Sequence, residues 1–442
     1  MRVQYTRALT CEDWSRFNYY ARRVLVIKWD DSREYYDYEF VGRLLSSKPH
    51  SISALFPRLR ELTVITGRTV SLGFASAILS PSISTLFISP LMQISIHNDY
   101  RAFIADLPAR CPNILSVGYV ATKFFTGDID QQRLAEIEPI LLGGWRDIQR
   151  ISLVSKSFTA SHLKTLSNLP RLRHLQCTQS MTPTLINSSK TMIAGGFASL
   201  TSVELKVKDC EVAITFLKAI AHVGLYKLKL DTMGREVEPE DAIALASCIS
   251  QFSDTLREVT LLCGLLSYKH IRALGDCRYL EILAAPIMCD HSDIDDLSLH
   301  HPNLQTLDLR STQYSDSAEN AHPELDLTCL GLLAQRCPNI RHLALELDPN
   351  VVVPANWRSK RFPQLENLEI LHSQVDKPVE LASFLSSISW TTLRVSGPYD
   401  ISSESGHAVH GWNEVEKLVQ MLQSIRRDER CYMREHSQYV VL

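Results

Sequence analysis

One spacing constrains this chain more than any other feature: apolar-x-x-apolar-x-apolar, repeated from end to end. Its clearest copies are Leu59-Arg60-Glu61-Leu62-Thr63-Val64, Leu172-Arg173-His174-Leu175-Gln176-Cys177 and Leu304-Gln305-Thr306-Leu307-Asp308-Leu309, with Ile340–Leu345 and Leu365–Ile370 close behind. Looser copies begin at Ala21, Ile83, Ile114, Ile148, Leu200, Leu225, Leu256, Leu280 and Trp390, which makes fourteen units spaced by 24 to 38 residues. In an extended strand the last two apolar positions of each copy share a face, because side chains alternate with a period of two. A single short strand cannot cover that face, so consecutive copies must stack on one another.

A mean spacing of about 28 residues lies within the range of leucine-rich repeats, each a strand followed by a helix or 3₁₀ turn. The segments between strands agree. Ala102–Cys111 and Leu327–Cys337 read as helices stopped by Pro112 and Pro338, and Asp241–Phe252 places Ile243, Leu245, Ala246 and Ile249 at helical spacing. The expected fold is therefore an α/β leucine-rich-repeat solenoid of about 14 repeats, with a curved parallel sheet on the concave side and helices on the convex side. The expected layout is a capping helix over 1–20 and the repeat array over 21–396. A flexible Gly-, Ser- and Pro-rich loop over 397–411, a capping helix over 412–427 and a tail over 428–442 complete it. In the first helix Thr10 and Asp13 stand at capping-box spacing, with Trp14, Phe17 and Ala21 on one face; the last carries Val415, Leu418, Val419, Leu422 and Ile425 as a stripe. The longer spacings read as insertions on one rim.

Arg-Cys-Pro-Asn-Ile within a leucine ladder resembles the cysteine-containing subclass of leucine-rich repeats. The opening, Thr10-Cys11-Glu12-Asp13-Trp14-Ser15-Arg16-Phe17 with Ala21-Arg22-Arg23-Val24, is similar to the segment that follows the F-box in fungal, basidiomycete-type F-box/leucine-rich-repeat proteins. Leu55-Phe56-Pro57-Arg58-Leu59-Arg60-Glu61-Leu62 and Leu79-Ser80-Pro81-Ser82-Ile83 carry the same resemblance, which extends over the whole chain. It implies the substrate-recognition arm of an SCF-type ubiquitin ligase. Nine residues precede Thr10, too few for an F-box, so an adaptor subunit is expected only if that module lies upstream. The alternative is a free-standing scaffold or inhibitor without a ubiquitin link.

Motifs for chemistry are scarce. Gly143-Gly144 and Gly195-Gly196 lack the residues of a phosphate loop, and no Gly-x-Ser-x-Gly elbow occurs. Eleven cysteines lie without a Cys-x-x-Cys pair, and Met1–Leu9 lacks the apolar core of a signal peptide, which suits buried thiols in a reducing cytoplasmic or nuclear compartment. Thr69–Asn98 has no charged residue, yet seven serines and two prolines argue for a buried repeat rather than a membrane span. Cys289-Asp290-His291-Ser292-Asp293-Ile294-Asp295-Asp296 is rich in ligand atoms. Without the glycine and distal Glu of a calcium loop it reads as a helix start, capped by Ser292 or Asp293. His407 and His410 stand three apart with no carboxylate between them. No enzyme, cofactor or metal is expected.

The net charge of −3 hides a split: Trp145–Leu230 carries 12 Lys/Arg against 4 Asp/Glu, and Asp231–Leu330 carries 6 against 18. Strand register assigns to the concave face Arg150, His174, Glu204, Lys206, Lys227, Lys229, Asp231, Glu258, Asp308, Arg310, His342, Glu346 and Glu369. An inner surface of roughly 65 Å suits a protein or peptide target for a monomeric module. Few aromatics stand at concave positions, which disfavours nucleic acid.

Overall fold

The computed structural model describes residues 10–30, 47, 54–66, 69–90, 97–120, 143–154, 160–181, 193, 195–233, 235, 237–310, 324–350, 360–371, 375–389, 392–396 and 407–437. The chain divides into two compact units, Met1–Val223 and Gly224–Leu442. The N-terminal unit runs α1 (Cys11–Ala21), β1 (Val26–Asp30), β2 (Glu61–Thr66), α2 (Thr69–Ile78), β3 (Thr85–Pro90), α3 (His97–Arg110) and β4 (Ser116–Val120). It continues with β5 (Arg150–Val154), α4 (Ala160–Ser167), β6 (His174–Met181), β7 (Ser202–Val207) and α5 (Cys210–Ala219). The C-terminal unit begins β8 (Lys227–Asp231), α6 (Pro239–Ser250), β9 (Glu258–Leu262), β10 (Leu266–Ser267) and α7 (Tyr268–Ile271), then a 3₁₀ turn. After it come β11 (Ile282–Ala284), β12 (Ile287–Met288), α8 (His291–His300), β13 (Thr306–Asp308), α9 (Cys329–Arg336), β14 (His342–Glu346), β15 (Asn367–Leu371), α10 (Pro378–Ile388), β16 (Arg394–Ser396) and α11 (His407–Ser437).

In the N-terminal unit β1 to β7 pair in chain order, all parallel. In the C-terminal unit the order is β8-β9-β11-β13-β14-β15-β16, again parallel, with β10 and β12 forming a separate parallel pair. Each unit is thus an α/β solenoid, as the ladder requires. Register aligns the apolar positions strand by strand: Leu62, Leu86, Val117, Ile151, Leu175 and Val203 form one buried line, and Leu228, Val259, Leu283, Leu307, Leu343, Leu368 and Val395 another. Burying each such side chain is worth about 1.5–3 kcal/mol. Parallel sheets are usually covered on both faces. Here the returning segments cover the face bearing these lines, and the alternate positions stay partly open, as in the strand patterns of β7 and β8.

The residues just before each strand show why Cys and Asn recur there. Backbone carbonyls at a helix end have no partner within the helix, and the next repeat supplies one. Trp145 Nε1 donates to the Cys111 carbonyl at 2.7 Å, His301 Nδ1 donates to the Cys277 carbonyl at 3.2 Å, and Cys337 Sγ donates to the His301 carbonyl at 3.4 Å. Asn113 Nδ2 reaches the Pro81 carbonyl at 2.9 Å, and Asn303 Nδ2 the Arg278 carbonyl at 3.3 Å. Small polar tips at fixed positions therefore stitch neighbouring repeats.

Several expectations need correction. The first strand begins at Val26 rather than at the unit placed on Ala21: Ile27 pairs with Leu62, so the register moves by three and the inward face is reversed. Ala21 is helical, which removes it from any strand. At the far end Val395 pairs with Leu368, so the last unit starts at Thr392, two residues after Trp390. In α6 the buried face is Ala242, Leu245, Ala246 and Ile249, whereas Ile243 is exposed. Residues 407–411 and 428–437, expected as loop and tail, belong to α11. There Trp412, Val415, Val419 and Gln423 are buried and Ile425 is exposed, because Gln423 accepts the Leu393 N–H and Arg426 bonds Ser386. The remainder of the expected flexible loop, 397–406, the tail end, 438–442, and most of the expected insertions, 31–46, 121–142 and 311–323, lie outside the described residues.

Candidate protein-binding face

The partly open face consists of rows, one residue per strand. In the N-terminal unit the first row runs Val26, Glu61, Thr85, Ser116, Arg150, His174, Ser202, and the second Lys28, Thr63, Phe87, Gly118, Ser152, Gln176, Glu204. Arg150 and His174 are direct neighbours and both exposed. Below them Ser152 donates to Gln176 at 2.7 Å. Lys206 follows in a third row, opposite Ser180 across an irregularity in β6.

The C-terminal unit presents Lys227, Glu258, Ile282, Thr306, His342, Asn367 and Arg394 in its first row, and Lys229, Thr260, Ala284, Asp308, Ala344, Glu369 and Ser396 in its second. The charges expected to meet a partner largely meet one another. Lys227 and Glu258 form an ion pair at 2.5 Å. Arg310 grips Asp308 with two bonds, Nε to Oδ1 at 2.7 Å and Nη2 to Oδ2 at 2.5 Å, and its Nη1 reaches Glu369. The hydrogen bonds that Arg310 donates to Asp308, then the nearby negative charge, raise the guanidinium pKa against the opposing effect of burial. Asn367 Nδ2 donates to His342 Nδ1 at 2.7 Å. Asp231 accepts the Met233 N–H at 2.7 Å and so supports a left-handed turn, Met233 having φ 62. Lys229 and Glu346 are half-buried on the same face.

Two features of the face were not singled out from the sequence. Phe87 lies over Gly118, where an added Cβ would come within 2.3 Å of its ring. Ala284 and Ala344 flank Asp308 and leave the second row shallow beside it. Both follow from counting one residue past the inward leucine in each repeat.

The ligand-rich segment is a helix start, capped by Asp290 rather than by Ser292 or Asp293. Asp290 Oδ1 accepts the Asp293 N–H at 2.9 Å, and Asp293 closes a capping box. That bond holds the Asp290 carboxyl below its ordinary range, while burial pushes Asp293 up. His291 Nε2 lies 3.0 Å from Asp326. Among the described residues no three His, Cys, Asp or Glu side chains gather as metal ligands would, and no helix is long and apolar enough to cross a membrane. No disulfide joins any of the eleven cysteines, and nine of them are buried. Burial raises the Cys111 thiol to about 11 and the Cys277 and Cys337 thiols to about 12, so these are inert.

No protein-family model matches the chain, and no curated protein matches it. Among solved structures, the Rad7 and Elc1 complex of yeast is similar at 13% identity and TM-score 0.45, over 89% of this chain and 92% of that one. The leucine-rich-repeat ectodomain of an Arabidopsis thaliana receptor kinase, GASSHO1/SCHENGEN3, in complex with Casparian strip integrity factor 2, is similar at 12% identity and TM-score 0.35. That match covers 77% of this chain and 36% of the receptor.

Proposed function

We propose that the chain is a non-catalytic protein-interaction module that engages a protein target through the open face of its strands, as a monomer in the cytoplasm or nucleus. The observation that carries this reading is the face itself. It sets polar and charged side chains in rows fixed by backbone register, at about 4.8 Å per strand, over a buried aliphatic layer. Such a surface recognises an extended or folded polypeptide by complementary charge and shape. The test is affinity purification with mass spectrometry on the wild type, on Arg150→Glu/His174→Glu, and on Lys218→Glu as an exposed helix control. Targets lost with the face variant and kept with the control support the reading; a partner set unchanged by the face variant refutes it.

Within this reading, the resemblance of Thr10–Val24 and of the ladder to F-box/leucine-rich-repeat proteins supports a role as the recognition arm of an SCF-type ubiquitin ligase. That role requires the adaptor to copurify with the full-length gene product and the target's turnover to change with binding. Binding without either outcome leaves a free-standing scaffold or inhibitor.

A further inference from the structure

At the end of the N-terminal unit where the strands begin, equivalent positions of successive repeats can be read from the register. The residue three before the first paired position is Arg23 in β1's repeat and Arg58 in β2's, then Ser82, Asn113, Asp147, Arg171 and Ser199. Where two charges become neighbours later in the series they are opposite, and Asp147 and Arg171 pair at 3.1 Å. In the first two repeats the neighbours are both arginines. Arg22 stands beside Arg23, and Arg60 two residues after Arg58; all four are exposed. Among the described residues no carboxylate pairs with Arg22, Arg58 or Arg60. The backbone keeps this group together, because the Arg60 and Glu61 N–H groups both donate to the Leu25 carbonyl, at 2.8 and 3.1 Å. Glu61 is the acidic residue next in line, and it belongs to the first row of the open face.

Beside these cations α1 exposes Tyr19 and Tyr20, each 58% accessible, and the chain then exposes Leu25 and Val26. The helix is fixed by its capping box and by Phe17, edge-on to Phe56 at 5.7 Å. A cluster of exposed like charges favours the approach of an anion. We propose that this rim, formed by the C-terminal end of α1 and the starts of β1 and β2, docks an acidic, partly apolar segment of a partner protein. It is a second surface, which adjoins the open face only at Val26 and Glu61. Protein is favoured over single-stranded nucleic acid because base stacking needs free aromatic faces. Here Arg23 sits 4.3 Å from the centroid of the Tyr19 ring and donates to its hydroxyl at 2.5 Å, while Tyr20 meets Tyr19 in a T-shaped contact at 5.2 Å. Exposed aliphatic residues beside arginines suit a segment alternating Glu or Asp with Leu.

The test uses fluorescence anisotropy with the full chain and three labelled probes: a glutamate- and leucine-rich peptide, a lysine-rich peptide of equal length, and oligo-dT. Arg58→Ser and Arg60→Ser are suitable variants, since Ser82 and Ser84 fill the same positions in the next repeat. The acidic peptide is expected to bind, with affinity falling as salt rises. Each serine should weaken it roughly fivefold, and the unfolding midpoint should stay level or rise. Absence of acidic-peptide binding at low salt, tighter binding of oligo-dT, or binding unchanged by both serines would overturn the proposal. So would loss of peptide binding in Arg150→Glu/His174→Glu with Arg58→Ser/Arg60→Ser unaffected, since that pattern moves the site to the open face.

Discussion

His301 makes the C-terminal unit sensitive to mild acid. Its ring is 2% exposed and takes the place that Cys277 and Cys337 hold in the adjacent repeats. Burial lowers its pKa from 6.5 to about 4, against the smaller opposing effect of its bond to the Cys277 carbonyl. The folded state therefore favours the neutral ring, and the unfolded chain binds the proton more readily. Stability is fully present above the unfolded value of 6.5 and declines as pH falls towards the folded value of about 4. Linkage with these two values gives a loss of about 2 kcal/mol between pH 7 and pH 5, approaching about 3 kcal/mol below pH 4. Asp290 and Asp326, whose carboxyl pKa values lie below the ordinary range, lose their contribution only in more acid solution.

The measurement is hydrogen exchange of peptides covering α8 and β13 across a urea series, at pH 7 and pH 5. It compares the wild type with His301→Cys, the residue that the flanking repeats carry. The variant should start less stable at pH 7, because cysteine leaves space where the ring was, but it should lose about 2 kcal/mol less on acidification. Equal losses in the two proteins would show that the buried ring is not the proton acceptor, and the argument would fail.

Gly118→Ala should destabilise the N-terminal unit by about 1–3 kcal/mol in chemical denaturation, because its Cβ would meet the Phe87 ring at 2.3 Å. Most of that cost should vanish in a Phe87→Ala background. Trp145→Phe should cost about 1–3 kcal/mol in the same assay by leaving the Cys111 carbonyl without its buried 2.7 Å donor. A double-mutant cycle on Lys227 and Glu258, whose side chains are 46% and 21% exposed, should return a coupling of only about 0.5 kcal/mol, fading in 1 M salt.

The ladder made the interior legible because period-two alternation is a local property. From Leu59 to Leu365 every inward pair read from spacing is buried in the structure, from Leu62 and Val64 to Leu368 and Ile370. At the ends the same signal was ambiguous. Ala21-Val24-Val26 matches the pattern as well as Val24-Ile27-Trp29, and only the helix ending at Ala21 decides between them. A shift of three exchanges the two faces, whereas the shift of two at Trp390 kept Leu393 and Val395 inward. Helical periodicity places Ile425 inward in α11, but it is exposed because Gln423 and Arg426 are held by hydrogen bonds to residues thirty to forty positions away, which no periodicity reports. Asp290, Ser292 and Asp293 are equally good cap residues by type, and only backbone geometry selects Asp290 among them.

The open face shows why listing its charges from register overstates what a partner feels. Lys227 and Glu258, or Asp308 and Glu369, are separated by 31 and 61 positions in the chain, yet they lie one and two strands apart. Lys227 and Glu258 neutralise each other before any ligand arrives, and Arg310, bonded to both Asp308 and Glu369, offsets one of their two charges. Arg310 bonds carboxylates on β13 and β15, so it bridges the row at Ala344, which is only 6% exposed. A partner that used Asp308 or Glu369 would have to replace Arg310 with a cation of its own. That exchange gains little net affinity while rejecting any segment without such a cation. On this face, therefore, the paired charges govern which partners are refused. Affinity must come from the surface between them, including the shallow second-row positions at Thr260 and Ala284.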